Sequence, residues 1–304
     1  MAARVIEARG VTKVFGELHA VDGIDLGVEA GELFGLIGHN GAGKTTLFRM
    51  LLGLLPATSG EIRIDGLPVR GEAFRQVRRR VGYLPENVVF YDNLTGLETL
   101  RFFAGLKGAP QAACVPLLER VGLSGAAERR VRGYSKGMRQ RLGFAQALLG
   151  SPALLFLDEP TVGLDPEGIR EFYRILADMR AQGVTVILSS HILADIQQRV
   201  DRLAIMKSGR IQALGSVQAL REGLDLPLSF EVRLAEGAAD ALRSALERLP
   251  LGPIELRGDR AWIQCRREAK MAVHEALASL GGRVLDLHVR EPSLEDVFLG
   301  YAGG

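Results

Sequence analysis

The run Gly38-His39-Asn40-Gly41-Ala42-Gly43-Lys44-Thr45 sets glycines, a lysine and a hydroxyl at the spacing G-x-x-x-x-G-K-[ST], the P-loop pattern. Glycines let a backbone curl until its N–H groups converge on the β- and γ-phosphates of a nucleotide. Lys44 would place its ammonium between those phosphates, the Thr45 hydroxyl would ligate Mg²⁺, and Thr46 would reach the α-phosphate. A second candidate is Leu154-Leu155-Phe156-Leu157 followed by Asp158 and Glu159. Four apolar residues in succession predict a buried strand whose acids emerge at its C-terminal end, where open α/β sheets bind ligands. Asp158 would there hold the Mg²⁺, and Glu159 would polarise the water that attacks the γ-phosphate. An Asp-Glu-Pro triplet on its own would also serve as a loop cap. The P-loop upstream favours the chemistry.

To bring these residues together the chain needs a mainly parallel sheet flanked by helices. Over roughly the first 220 residues, β-branched or Leu-rich runs do alternate with longer helical periods. Val5 to Val14 and Leu18 to Val28 predict strands around a Phe15-Gly16 turn. Gly31 to Ile37 predicts a buried strand running into the Gly-rich loop, and Lys44 to Leu52 a helix. Between 87 and 153 apolar residues fall at helical spacing, as at Leu97, Leu100 and Phe103, which predicts a helical insert. Strand character returns at Ala153 to Leu157, Val184 to Ser189 and Leu203 to Met206. The expected class is α/β, with residues 1–224 as one domain. Residues 228–304 change to the order strand, helix, strand, strand, helix, strand, that of a small α+β, ferredoxin-like unit. A terminal helix from Ser293 to Tyr301, opened by a Ser-x-x-Asp cap, is expected to complete it.

Further motifs fall in the order of the ATP-binding cassette (ABC) family, which this sequence resembles. Tyr134-Ser135-Lys136-Gly137-Met138 is similar to the family's signature, usually Leu-Ser-Gly-Gly-Gln, and keeps Ser135 and Gly137. Ser135 also suits the N-cap of a following helix. Gly163-Leu164-Asp165 resembles the D-loop, His191 the switch histidine that contacts the γ-phosphate, and Phe15 the aromatic that stacks on adenine. Glu86 stands where the family usually has Gln, and a carboxylate there can still meet Mg²⁺ or the attacking water. The resemblance implies a P-loop NTPase fold with N-terminal antiparallel strands, ATP and Mg²⁺ as ligands, and ATP hydrolysis coupled to transport. It implies a second copy of the chain, because the P-loop and the signature of one copy face different nucleotides. It also implies a separate transmembrane permease, a periplasmic component reached through that permease, and a place on the cytoplasmic face of the cell membrane. The runs 38–46, 82–88 and 134–143 further resemble the ATPases of transporters serving copper-site maturation of nitrous oxide reductase. Export of drugs, lipids or ions is the alternative, and a nucleic-acid-linked ATPase a remote one.

The bulk properties agree with a folded, cytosolic chain. Its 304 residues are 47% hydrophobic, 24% charged and 6% aromatic, which excludes disorder. Lys and Arg number 38 against 36 Asp and Glu, so no overall field points to nucleic acid. The pairs Arg129-Arg130 and Arg266-Arg267 and the triplet Arg78-Arg79-Arg80 lack interleaved aromatics and read as solvated faces. Cys114 and Cys265 form no metal framework, and His39, beside the phosphates and without a thiol, reads as a loop-shaping residue rather than a copper ligand.

Overall fold

The computed structural model describes residues 4–192, 196–197, 199–223 and 227–291; the expected terminal helix with its Ser293 cap lies outside them. Two compact units divide the chain, Met1–Ser216 and Val217–Gly304. The division falls upstream of the boundary expected at 224. The stretch from Val217 continues directly from a strand, so composition alone places it with the first unit, yet its contacts group it with the second.

The first unit opens with a hairpin of β1 (Arg4–Phe15) and β2 (Leu18–Glu29), followed by β3 (Leu33–Ile37) and α1 (Lys44–Leu51). Next come β4 (Ser59–Ile64), β5 (Leu67–Pro68), α2 (Ala73–Arg79) and β6 (Val81–Leu84). The helical insert holds α3 (Gly96–Lys107), α4 (Cys114–Arg120) and α5 (Lys136–Leu148). A capping box between Thr95 and Glu98 starts α3, and Gly108 in the left-handed region ends it. Then follow β7 (Leu154–Leu157), α6 (Pro166–Ala181), β8 (Thr185–Ser190), β9 (Arg202–Lys207) and β10 (Arg210–Gly215).

Strands β2, β1, β4 and β5 form one sheet in that order, antiparallel throughout. The larger sheet has the order β10-β9-β3-β8-β7-β6, parallel except for β10. Every residue of β3, β7 and β8 is buried, as expected for central parallel strands covered on both faces. Their C-terminal ends therefore lie together, which brings the residues after Ile37, Leu157 and Ser190 to one rim of the sheet.

Behind that rim Phe48 of α1 and Phe156 of β7 meet edge to face, with centroids 5.5 Å apart. Both are wholly buried, so this contact fixes the P-loop helix against the strand that carries the two acids. Phe48→Ala should lower unfolding stability by about 3–5 kcal/mol, measured by urea titration, because the site is rigidly packed on all sides. A loss below about 1 kcal/mol would show that α1 can collapse into the gap.

The second unit contains α7 (Val217–Gly223), β11 (Leu228–Leu234), α8 (Ala239–Leu246), β12 (Leu251–Arg257), β13 (Arg260–Cys265), α9 (Lys270–Ser279) and β14 (Val284–Arg290). Its antiparallel sheet has the order β12-β13-β11-β14. Alternate residues Leu228, Phe230, Val232 and Leu234 face a core shared with Leu242, Leu246, Val273 and Leu277 of the helices. Cys265 belongs to that core, where burial pushes its thiol up, and it acts as a small hydrophobe.

Candidate functional site

The loop after β3 is held by backbone hydrogen bonds, one within it and one to the end of β8. Gly38 N–H donates to Ser190 O, and Ala42 N–H donates to His39 O over 3.0 Å. Gly43 has φ +103° and sits against the Ala20 carbonyl, so both its handedness and its lack of a side chain are required. A Cβ on Gly38 would come within 2.6 Å of Met206 O.

Lys44 is buried, and its Nζ lies 2.6 Å from Gly38 O and 3.3 Å from His39 O. The same ammonium stands 3.2 Å from Glu159 Oε1. The angle there makes an ion pair rather than a hydrogen bond, which leaves Oε1 buried with no hydrogen-bond donor among the described residues. The other oxygen, Oε2, is 2.7 Å from His191 Nδ1. Glu159 itself has φ +48°, a conformation costing about 1–2 kcal/mol for a residue with a Cβ. That turn carries its carboxylate off the line of β7.

Asp158 is fully buried, and each of its oxygens receives one hydroxyl: Thr45 Oγ1 at 2.8 Å and Ser189 Oγ at 2.6 Å. Burial pushes the Tyr83 phenol up to about 12, with the Asp158 charge adding to the shift, so Tyr83 is neutral at any working pH. Hydroxyl and carboxylate oxygens are the donor chemistry that Mg²⁺ takes, usually one or two carboxylates with water and substrate phosphates completing the shell. Asp158 and Thr45 fit that pattern.

One cleft is lined by His39, Asn40, Gly41, Ala42, Gly43, Lys44, Thr45 and Thr46 together with Glu86 and Glu159. Leu18, His19 and Ala20 of β2 line it as well. Phe15 is not among the lining residues; it is 48% exposed at the end of β1, with Lys13 Nζ 5.1 Å above its ring.

Ser135, Gly137 and Asp165 do not line this cleft either. Ser135 caps α5 by accepting from Met138 N–H at 3.2 Å. A Cβ on Gly137 would lie 2.8 Å from Gly163 O, so the start of α5 and the 163–165 loop are in close contact. Asp165 caps α6 through Gly168 N–H, which with Arg141 at 3.1 Å holds its carboxyl below the usual range. Gln140 of α5 donates to Pro160 O, tying the signature helix to the segment just past Glu159. Ser189 is the functional side chain that the motifs do not announce; its only trace in the sequence is a Ser-Ser pair at the end of an apolar strand, before His191.

The sequence pattern of the family described as ABC transporter matches residues 21–162. An uncharacterized ABC transporter ATP-binding protein of Synechocystis sp. is 38% identical over 98% of this chain and 84% of its own length. The daunorubicin resistance ATP-binding protein DrrA3 of Streptomyces coeruleorubidus is 37% identical over 100% of this chain and 97% of its own. The bacitracin transport ATP-binding protein BcrA of Bacillus licheniformis is 35% identical, with 99% and 98% covered. The chain belongs to the ABC transporter ATP-binding family. Among solved structures, an ATP-binding subunit of an ABC transporter superposes with TM-score 0.66 at 32% identity, covering 72% of this chain and 92% of that one. A dimeric ATP-binding cassette bound to ADP and Pi superposes with TM-score 0.65 at 24% identity, covering 70% and 98%, and shares the fold. This ABC protein is thus an ATP-binding, ATP-hydrolysing subunit of the α/β P-loop class. Among the described residues no helix is long and apolar enough to cross a membrane.

Proposed function

We propose that this chain is the ATPase of an exporter-type ABC system, binding MgATP in the P-loop cleft and driving a separate membrane-spanning permease from the cytoplasmic face. The observation that carries the reading is the placement of Glu159, a buried carboxylate between the P-loop lysine and His191. In that position Glu159 accepts the proton of the attacking water, while His191 holds its Oε2 and reaches toward the γ-phosphate. Asp158 and Thr45, with Glu86 across the cleft, would hold Mg²⁺, which when bound neutralises developing phosphate charge. Phe15 stacks on the adenine from the rim of the hairpin.

Ser135 and Gly137 serve the nucleotide of a second copy, with Asp165 beside them, so that two chains close head to tail over two ATP molecules. Their absence from the lining of the chain's own cleft supports this arrangement. Mixing a Lys44→Ala chain with a Ser135→Arg chain, each inactive alone, should restore part of the ATPase through one intact composite site. Phosphate release no higher in the mixture than in the separate chains would overturn the shared site.

The relatives' names, daunorubicin resistance and bacitracin transport, favour a drug as the cargo. The NosF-type role in copper-site maturation of nitrous oxide reductase, with a periplasmic component beyond the permease, rests on the three motif runs alone and takes second place. Transport assays on the chain reconstituted with its permease separate the two. The second unit, β-α-β-β-α-β with the sheet order β12-β13-β11-β14, supports a ferredoxin-like reading of that domain.

A further inference from the structure

We infer that Ser189 is a positioning residue that sets both acids after β7 for hydrolysis, an inference that rests on the roles proposed for Asp158 and Glu159. Ser189 is wholly buried, with Oγ 2.6 Å from Asp158 Oδ1 and 2.9 Å from Glu159 N. The proton positions follow from the groups. An ionised carboxylate only accepts and a backbone N–H only donates, so the hydroxyl gives its proton to Asp158 and receives that of Glu159. The hydroxyl's one proton and one of its two lone pairs are thus both engaged, where Ala would supply neither.

Each bond has a separate consequence. With Oδ1 committed to Ser189, the Asp158 carboxylate cannot rotate, and Oδ2 stays directed at Thr45 Oγ1, 2.8 Å away. Thr45 donates along that line, which leaves its lone pairs free for a cation. At the backbone, Asp158 N–H donates to Leu84 O of β6, and one residue later the chain turns to φ +48° and leaves the ladder. Glu159 N–H would then be a buried donor without an acceptor, and Ser189 Oγ supplies it. The turn that aims the Glu159 carboxylate at Lys44 and His191 is therefore pinned by a side chain of the neighbouring strand. The next residue, Ser190, accepts from Gly38 N–H, so the end of β8 joins the acids to the phosphate loop.

The test compares Ser189→Ala, Ser189→Thr and Asp158→Asn in the full chain. ATP affinity is titrated with Mg²⁺ and with EDTA, alongside steady-state kcat and KM and a thermal melt. Ser189→Ala should lower kcat about 10–100-fold and shrink the Mg²⁺-dependent gain in ATP affinity by a similar factor, the range for residues that orient metal-binding groups. Its affinity in EDTA should equal the parent's, and Ser189→Thr should recover most of both losses. Parent-like kcat and Mg²⁺ coupling in Ser189→Ala overturn the proposal, as do equal losses in the Ala and Thr variants, which would assign the effect to packing. Asp158→Asn distinguishes the levels: if it too keeps full Mg²⁺ coupling, the site reading itself fails, whereas loss there with none in Ser189→Ala defeats only the positioning role.

Discussion

A Glu159→Gln chain should bind ATP at least as tightly as the parent and hydrolyse it about 10²–10⁴-fold more slowly, the span commanded by a positioned proton acceptor. The amide keeps the length and branching of the carboxylate, so the turn at φ +48° bears no new strain. Its oxygen can still accept from His191. What is lost is the charge that takes a proton from water. Single-turnover phosphate release, with binding followed by a fluorescent nucleotide, separates the two effects. Sedimentation with MgATP should then show a dimer that persists, since the nucleotide holding the two copies together is no longer consumed. Turnover at the parent rate would remove Glu159 from the mechanism.

Lys44→Ala should lose both ATP binding and stability. A charge-assisted contact to phosphate is worth about 1.5–3 kcal/mol, so affinity should fall at least tenfold, with turnover undetectable. The stability loss has a different origin. Lys44 and Glu159 are 5% and 6% exposed, and removing the cation leaves a buried carboxylate with His191 as its remaining partner. Breaking such a buried pair costs about 3–5 kcal/mol, visible as a lower urea midpoint. In the double variant Lys44→Ala with Glu159→Gln the stability should return and the binding should not. Equal stability of the single variant and the parent would show that the pair contributes nothing to folding.

The parts of the site that sequence makes legible are those whose cause is local. The β3, β7 and β8 segments are short uninterrupted apolar runs because both faces of each strand are covered, and the residues ending them are placed by chain continuity alone. Ser135 and Asp165 are legible as helix caps for the same reason: a hydroxyl or carboxylate bonds the N–H three residues on. Long-range causes are not legible. Ser59–Ile64 alternates charged and apolar residues, but only its pairing with β1 explains why it joins the antiparallel sheet. Ser189 looks like a strand end until β7 lies beside it. Lys44, in a Gly-rich loop, reads as solvent-facing, yet Glu159 from the far side of the helical insert buries it. Phe15 is equally suited to a core or to a ligand platform by type, and its exposure beside Lys13 answers in favour of the surface.

The pairing of Lys44 with Glu159 makes nucleotide arrival an exchange of anions. A phosphate that reaches the ammonium displaces a carboxylate already there, so the free energy it gains is the difference between two lysine contacts. Among the described residues, the carboxylate it releases keeps His191 and has no hydrogen-bond donor on Oε1. Under the proposed roles, the event that seats the substrate thus also unties Glu159, the proton acceptor, from Lys44.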